Sequence, residues 1–249
     1  MVLARISSAF RRQDWFTVGI EFVLLVGGIL FALYLDNLNQ QRKDQGLYKQ
    51  YLEQLVEDLQ MDVSEAKDVI ERTYILDEMA EYLLDVIDAG TETGVEPGRL
   101  IRATLTSGYV NLPQSNRQTF EELINTGNLR LFKDTALKRL ITGHYAATER
   151  GRQWDNLIRS VQVDYRRITR DLLTHEQFRW ARGNAMRVEN YETPPPALDF
   201  PQFLKRARAN EELIGIISAM AEIQERVRQD SERMIFYSDN LIEEIENRL

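Results

Sequence analysis

Hydrophobic positions along the chain fall into two patterns. The first is unbroken: Trp15 to Leu35 reads WFTVGIEFVLLVGGILFALYL, apolar throughout apart from Glu21 and a few small or hydroxylated residues. At the helical rise this segment is ~31 Å long, close to the thickness of a bilayer's hydrocarbon core. Trp15 and Tyr34 stand near its ends, where amphipathic rings favour the headgroup level. Arg11, Arg12 and Asp14 close one end and Asp36 the other. A cleaved signal peptide has a shorter apolar stretch followed by a small-x-small site. The exit Phe31-Ala32-Leu33-Tyr34-Leu35-Asp36 offers no such pair. The expectation is a retained signal-anchor that crosses the membrane once.

The second pattern alternates steps of four and three residues, the period of left-handed helical bundles and coiled coils. It recurs three times. The first stripe runs through Tyr48, Leu52, Leu55, Leu59, Asp62, Ala66, Val69, Thr73, Leu76, Ala80, Leu83 and Ile87, with Gly90 as a helix stop. The second begins behind Asp134 as N-cap and runs through Leu137, Leu140, His144, Ala147, Gly151, Trp154, Ile158, Val161, Tyr165, Ile168, Leu172 and His175. The third follows Asn210 as N-cap and runs through Leu213, Ile216, Met220, Ile223, Val227, Asp230, Met234, Tyr237 and Leu241. Asparagine and aspartate suit the cap position because their side chains accept from the first free N–H groups.

Three such helices must bury their stripes against one another. The predicted fold class is all-α: one N-terminal transmembrane helix, then an antiparallel bundle of three long helices with short connecting helices. The first helix is expected to leave the bilayer, the second to return and the third to leave again. The prolines, at 97, 113, 194–196 and 201, fall in the connections. Short helices are expected at Gly98–Thr106, Gln118–Thr126 and Pro201–Ala209. Asn128–Phe132 is the one short strand candidate. The domains are then 1–14, a short basic arm; 15–35, the span; and 36–249, the helical bundle.

The arm places Val2, Leu3, Ile6 and Phe10 on one face and Arg5, Arg11 and Arg12 off it, the pattern of an interfacial helix. Lys and Arg counts tie on the two sides of the span. A short basic arm ahead of a first span tends to stay inside. The expected placement is a bacterial inner membrane, N-terminus cytoplasmic and bulk periplasmic.

Within the span, Glu21, Leu25, Gly28 and Ala32 share one narrow stripe. Gly28 and Ala32 form a small-xxx-small pair that admits a close helix neighbour. Glu21 lies about 9 Å past Trp15, inside the apolar zone, where a carboxylate is costly unless protonated, snorkelling or paired. Glu21 either snorkels to the near interface or hydrogen-bonds within an oligomer or to a partner's span; a proton or ion relay is a third reading, disfavoured because a single span cannot line a pathway alone.

Composition narrows the chemistry. The chain has 249 residues, 43% apolar and 28% charged, so it can build a core. Its net charge of −8 argues against nucleic-acid binding through a general positive field. It has no cysteine, which removes disulfides, thiolate metal sites and cysteine nucleophiles. No P-loop, GxGxxG, HExxH, GxSxG or EF-hand pattern occurs, and no cofactor is expected. His144 and His175 fall on the second stripe, about 46 Å apart on one helix, and cannot share a site. Asp62 and Asp230 interrupt their stripes and are expected to fix register or pair with a basic neighbour.

Two stretches, IEFVLLVGGILFALYLDNLNQQRKD followed by YLEQLVEDLQ, and QTFEELINTGNLRLFKDTALKRLITGHY from Gln118 to Tyr145, resemble an uncharacterised bacterial family of single-pass membrane proteins. The resemblance covers about a quarter of the chain. It implies an N-terminal anchor and a helical extramembrane domain, and no activity.

Two further contacts are expected. In the turn after Gln118, Asn125, Thr126 and Asn128 are either a plain helix stop or a partner contact at the far end of the bundle. From Arg166 to Arg208 nine basic residues stand against five acids. If the second helix returns to the membrane, Arg166, Arg167, Arg170, Arg179, Arg182 and Arg187 form a collar against anionic headgroups. The other reading is a solvated loop. The functional expectation is a non-enzymatic, membrane-anchored helical interaction module. It would be an accessory or scaffolding subunit of an inner-membrane complex, or a homo-oligomer. The alternative is a ligand-sensing extracytoplasmic bundle that signals through a partner.

Overall fold

The computed structural model describes residues 15–151, 154–185, 191 and 193–249. The arm 1–14 and Arg187 lie outside the described residues. Among these the chain forms α1 (Trp15–Ala89), α2 (Pro97–Thr106), α3 (Gln118–Asn125), a 3-10 turn (Asn128–Leu131), α4 (Thr135–Gly151), α5 (Asp155–Thr169), α6 (His175–Gly183), α7 (Phe200–Arg208) and α8 (Glu211–Glu246). No strand occurs among the described residues. The expected strand at Asn128–Phe132 is instead the 3-10 turn, introduced by Gly127 at φ 70°. The fold is all-α, with two compact units, Met1–Tyr51 and Leu52–Leu249.

The first unit holds the apolar part of α1. Its hydropathy window averages 1.9, and none of that window is buried. The helix is long and apolar enough to cross a membrane. Leu24, Leu25, Leu30 and Phe31 are each about two-thirds exposed, between 61% and 69%. Gly46, the weakest helix former on the way out, does not interrupt the helix.

In the second unit the first stripe is followed to the letter: every member from Leu52 to Ile87 is buried, Asp62 and Thr73 included. Burying a leucine or isoleucine here contributes roughly 1.5–3 kcal/mol. The helix ends at Gly90, whose φ of 64° suits glycine. Arg208 donates from Nε to the Ile87 carbonyl at 2.9 Å and from Nη2 to the Asp88 carbonyl at 2.8 Å, so a cation closes the negative end.

The order of the legs differs from the expectation. Glu78 pairs with Arg99, Asp62 accepts from Asn116 and Asp58 from Thr119. The segment 97–119 therefore runs back down α1 and is a leg in itself. The next leg, α4 with α5, runs parallel to α1. Arg117 donates to the Tyr145 carbonyl near Asp58 and Asp62, and Tyr165 donates to the Thr104 carbonyl further up. The last leg, α8, is antiparallel to both. Arg167 meets Glu212, Trp154 meets Arg226 and Asp134 meets Arg248, while Arg228 meets Asp77. The second long stretch thus does not return antiparallel to the first. The physical reason is that the connection after Gly90, expected to cross at one end, spans the length of the unit.

The second stretch is also not one helix. It breaks ahead of Asp155 and ends at Thr169. A separate helix, α6, follows Thr174, whose side chain and Gln177 form a reciprocal capping box. His175 is therefore an exposed residue at the start of α6, with Nε2 3.1 Å from Arg179, and not part of a buried stripe. The caps at Asp134, Asp199 and Asn210 each accept from the expected backbone N–H groups.

Candidate functional site

Tracing the second and third stripes through the structure leads to one place. Leu137 is buried as expected, but Leu140 is 47% and Trp154 50% exposed. The buried face of α4 is instead Leu137, Ile141 and Tyr145, and that of α5 is Ile158, Tyr165 and Thr169. On α8, Val227 and Leu241 are buried, while Tyr237 between them is 59% exposed. Two stripes expected to close on each other stand apart. Leu140, His144, Ala147 and Trp154 on one side and Asp230, Met234, Tyr237 and Leu241 on the other line a cleft of about 1970 Å³.

Its remaining wall is α1, through Met61, Asp62, Glu65 and Arg72, with the non-helical strap Val110–Arg117. The strap is fastened at both ends. At the upper end the Tyr165 ring lies where a Cβ on Gly108 would sit, 2.1 Å from Cδ1, and the Tyr109 carbonyl accepts from Gln224. At the lower end Asp62 accepts from Ser115 Oγ at 2.8 Å and from the Asn116 N–H at 2.5 Å. Asp58, one turn earlier on α1, accepts from Asn116 Nδ2 at 2.9 Å and from the Thr119 N–H at 3.0 Å. The start of α3 has no cap from its own Arg117 side chain. Asp58 supplies that cap from another helix, with the sign of charge the helix start favours.

The two aspartates sit under buried aromatic surface. Tyr145 is fully buried, stacked on Phe120 at 4.4 Å, and its hydroxyl has no hydrogen-bond partner among the described residues. Burial, with the charges of Asp58 and Asp62, holds that phenol well above its ordinary range. Burial likewise pushes Asp62 up to about 6, against the lowering effect of its bonds to Asn116 and Ser115. His144 lies edge-on to Tyr145 with Nε2 enclosed and unpartnered among the described residues, and burial lowers its affinity for a proton. Of the two roles expected for Asp62, fixing register or pairing with a basic neighbour, the ion pair does not occur among the described residues, and its donors are a hydroxyl and a backbone amide. Asp230 does pair with basic neighbours, Arg226 and Arg233, on its own helix. Among the described residues no group of three or more His, Cys, Asp or Glu converges as metal ligands.

The other sequence-derived sites are scattered. Glu21, Leu25, Gly28 and Ala32 remain on one exposed face of α1, and nothing lies within 4 Å of a Cβ on Gly28. Asn125 and Thr126 are exposed at the end of α3, and Asn128 opens the 3-10 turn. Within the second unit this turn sits at the end where Leu52 begins the unit, and not at the far end, because the leg 97–131 descends. Arg166, Arg167, Arg170, Arg179 and Arg182 are all exposed at the opposite end, the end of Ile87. The collar was expected where the second long stretch returns toward Leu52, and these arginines lie at the other end of the second unit. Arg167 is engaged with Asp164 and Glu212, and Arg170 with Asp171.

Comparison with protein-family models, with curated proteins and with solved structures finds no match.

Proposed function

We propose that the chain is a membrane-anchored, non-enzymatic helical interaction module, an accessory or scaffolding subunit of a bacterial inner-membrane complex or a homo-oligomer. The single observation that carries this reading is the exposed apolar face of α1 over 19–35. A helix that leaves Phe22, Leu24, Leu30 and Phe31 mostly bare has not buried them in its own protein, and lipid is the solvent that accepts such a surface. The absence of a small-x-small site after Leu35 favours a retained anchor over a cleaved leader. Arg5, Arg11 and Arg12 favour a cytoplasmic N-terminus and a periplasmic body.

Glu21, Leu25, Gly28 and Ala32 form the proposed helix–helix contact in the membrane. A carboxylate in the apolar zone gains most from a neighbouring donor, and Gly28 with Ala32 lets that neighbour come close. The partner is another membrane subunit or a second copy of the chain. Crosslinking in native membranes tests this: a discrete adduct is expected, weakened by Gly28→Leu.

A second reading is favoured by the cleft. A helical bundle with a wide lateral opening beside enclosed His144 and Tyr145 atoms that have no partner among the described residues is suited to sensing a ligand, with a partner protein carrying the signal. A small molecule that raises the melting temperature of the full chain and protects the cleft residues from solvent would support it over docking alone.

A further inference from the structure

We infer that the cleft of the second unit is a groove for one amphipathic α-helix of a partner protein, acidic toward its Arg226 end and basic toward its Glu243 end. The inference rests on the interaction-module reading and names the contact that module makes outside the membrane.

Size is the first argument. Along α8 the cleft lining runs from Arg226 to Glu244, about 27 Å at the helical rise. A volume of about 1970 Å³ spread over that length has a mean cross-section of roughly 73 Å², a cylinder ~10 Å wide, where an α-helix with side chains measures about 10–12 Å. A small ligand would leave most of the space to water. An extended chain would leave both walls uncovered in turn.

The walls are the second argument. Leu140 and Ala147 on α4 and Met234 and Tyr237 on α8 keep the spacing of a helical seam, yet they line the cleft, with Trp154 beyond the end of α4 adding an aromatic wall under Arg226. Such a stripe packs best against a third stripe of the same period.

Charge is the third argument and sets the partner's polarity. The contact of Trp154 with Arg226 puts Asp155, Arg159 and the start of the α8 lining at one level. Arg72, Arg159, Arg226 and Arg233 there outnumber Asp155 and Asp230. Toward the other end Asp62, Glu65, Glu121, Glu243 and Glu244 outnumber Arg117 and Arg139. Among the described residues Arg159, Glu65 and Glu243 make no ion pair, so these charges are free to meet a partner. Opposed charge along a groove fixes direction and discriminates between partners.

The test uses the full chain in mild detergent and three labelled 18-residue peptides with one identical apolar stripe. One carries glutamates in its first half and lysines in its second; another has the same residues with the charges interspersed; the last repeats the first with a central proline. The polarised peptide is expected to bind at least tenfold more tightly than the interspersed one, and the proline peptide to lose binding. Ala147→Trp, which fills the groove from an exposed position, should abolish binding while the melting temperature holds. The paired change Arg159→Glu and Arg226→Glu should erase the preference for the polarised peptide. Equal binding of polarised and interspersed peptides would overturn the inference, as would indifference to Ala147→Trp. Full binding by the proline peptide would assign the groove to an extended chain and overturn it too. No binding by any peptide would also overturn it. None of these results depends on whether residues 15–35 anchor the chain.

Discussion

The backbone N–H of Asn116 donates to Asp62 at 2.5 Å, joining residues 54 positions apart in the chain. This bond and that from Ser115 fasten a strap with little regular structure to the helix that forms the spine of the unit. They do so through a carboxylate that is 1% exposed. The cost of burying that charge outweighs the gain from its donors, since Asp62 is pushed up to about 6.

That shift makes a signed prediction. A carboxyl whose folded-state affinity for a proton exceeds its unfolded one contributes stability as pH falls from above 6 toward 4, because the native state then takes up the proton first. The melting temperature of the full chain should carry a rising contribution across that window on acidification. Asp62→Asn should flatten it. Identical pH profiles for the two proteins would show that Asp62 is not the titrating group. The titratable groups beside it are Asp58 and Tyr145, and the Asp58 charge already acts to raise it.

Gly108 and Tyr165 make a second prediction. The Tyr165 ring is buried and held by its hydroxyl to the Thr104 carbonyl at 2.8 Å, so it cannot swing away cheaply. A methyl on Gly108 would land on that ring. Gly108→Ala should destabilise the unit by about 1–3 kcal/mol, the range for overpacking a filled core. Gly143→Ala, with nothing within 4 Å of its new methyl, should not destabilise it. Chemical denaturation of the two variants side by side checks this.

The anchor makes a third. The full chain should stay in the membrane pellet through high salt and alkaline carbonate. Leu24→Arg with Leu30→Arg should release it, since each arginine near the middle of a span costs about 2.5–3.5 kcal/mol of insertion. Release of the unaltered chain by carbonate would remove the anchor.

The first stripe was legible because an uninterrupted helix surrounded on several sides buries one continuous face, and Leu52 to Ile87 do so. The caps at Asp134, Asp199 and Asn210 were legible because a cap is a local bond. The second stripe was legible only in part: Leu137, Ile158, Tyr165 and Leu172 are buried as expected, but α4 turns Ile141 and Tyr145 inward, at steps of four from Leu137, and leaves Leu140 exposed. The α6 helix was overlooked although Thr174 and Gln177 spell its capping box. The strap could not have been read at all. Asp58 and Asp62 look like two acids on a helix face until residues 115–119, far along the chain, are seen to donate to them. The order of the legs was lost for the same reason, since it depends on which long-range pairs form.

The central claim, an anchored module that works by docking, is tested most directly by crosslinking the full chain in native membranes beside Gly28→Leu. The account predicts one discrete higher-mass species, reduced several-fold in the variant, with the variant still membrane-bound. A chain that stays monomeric in the membrane and yields no adduct in either form would contradict it.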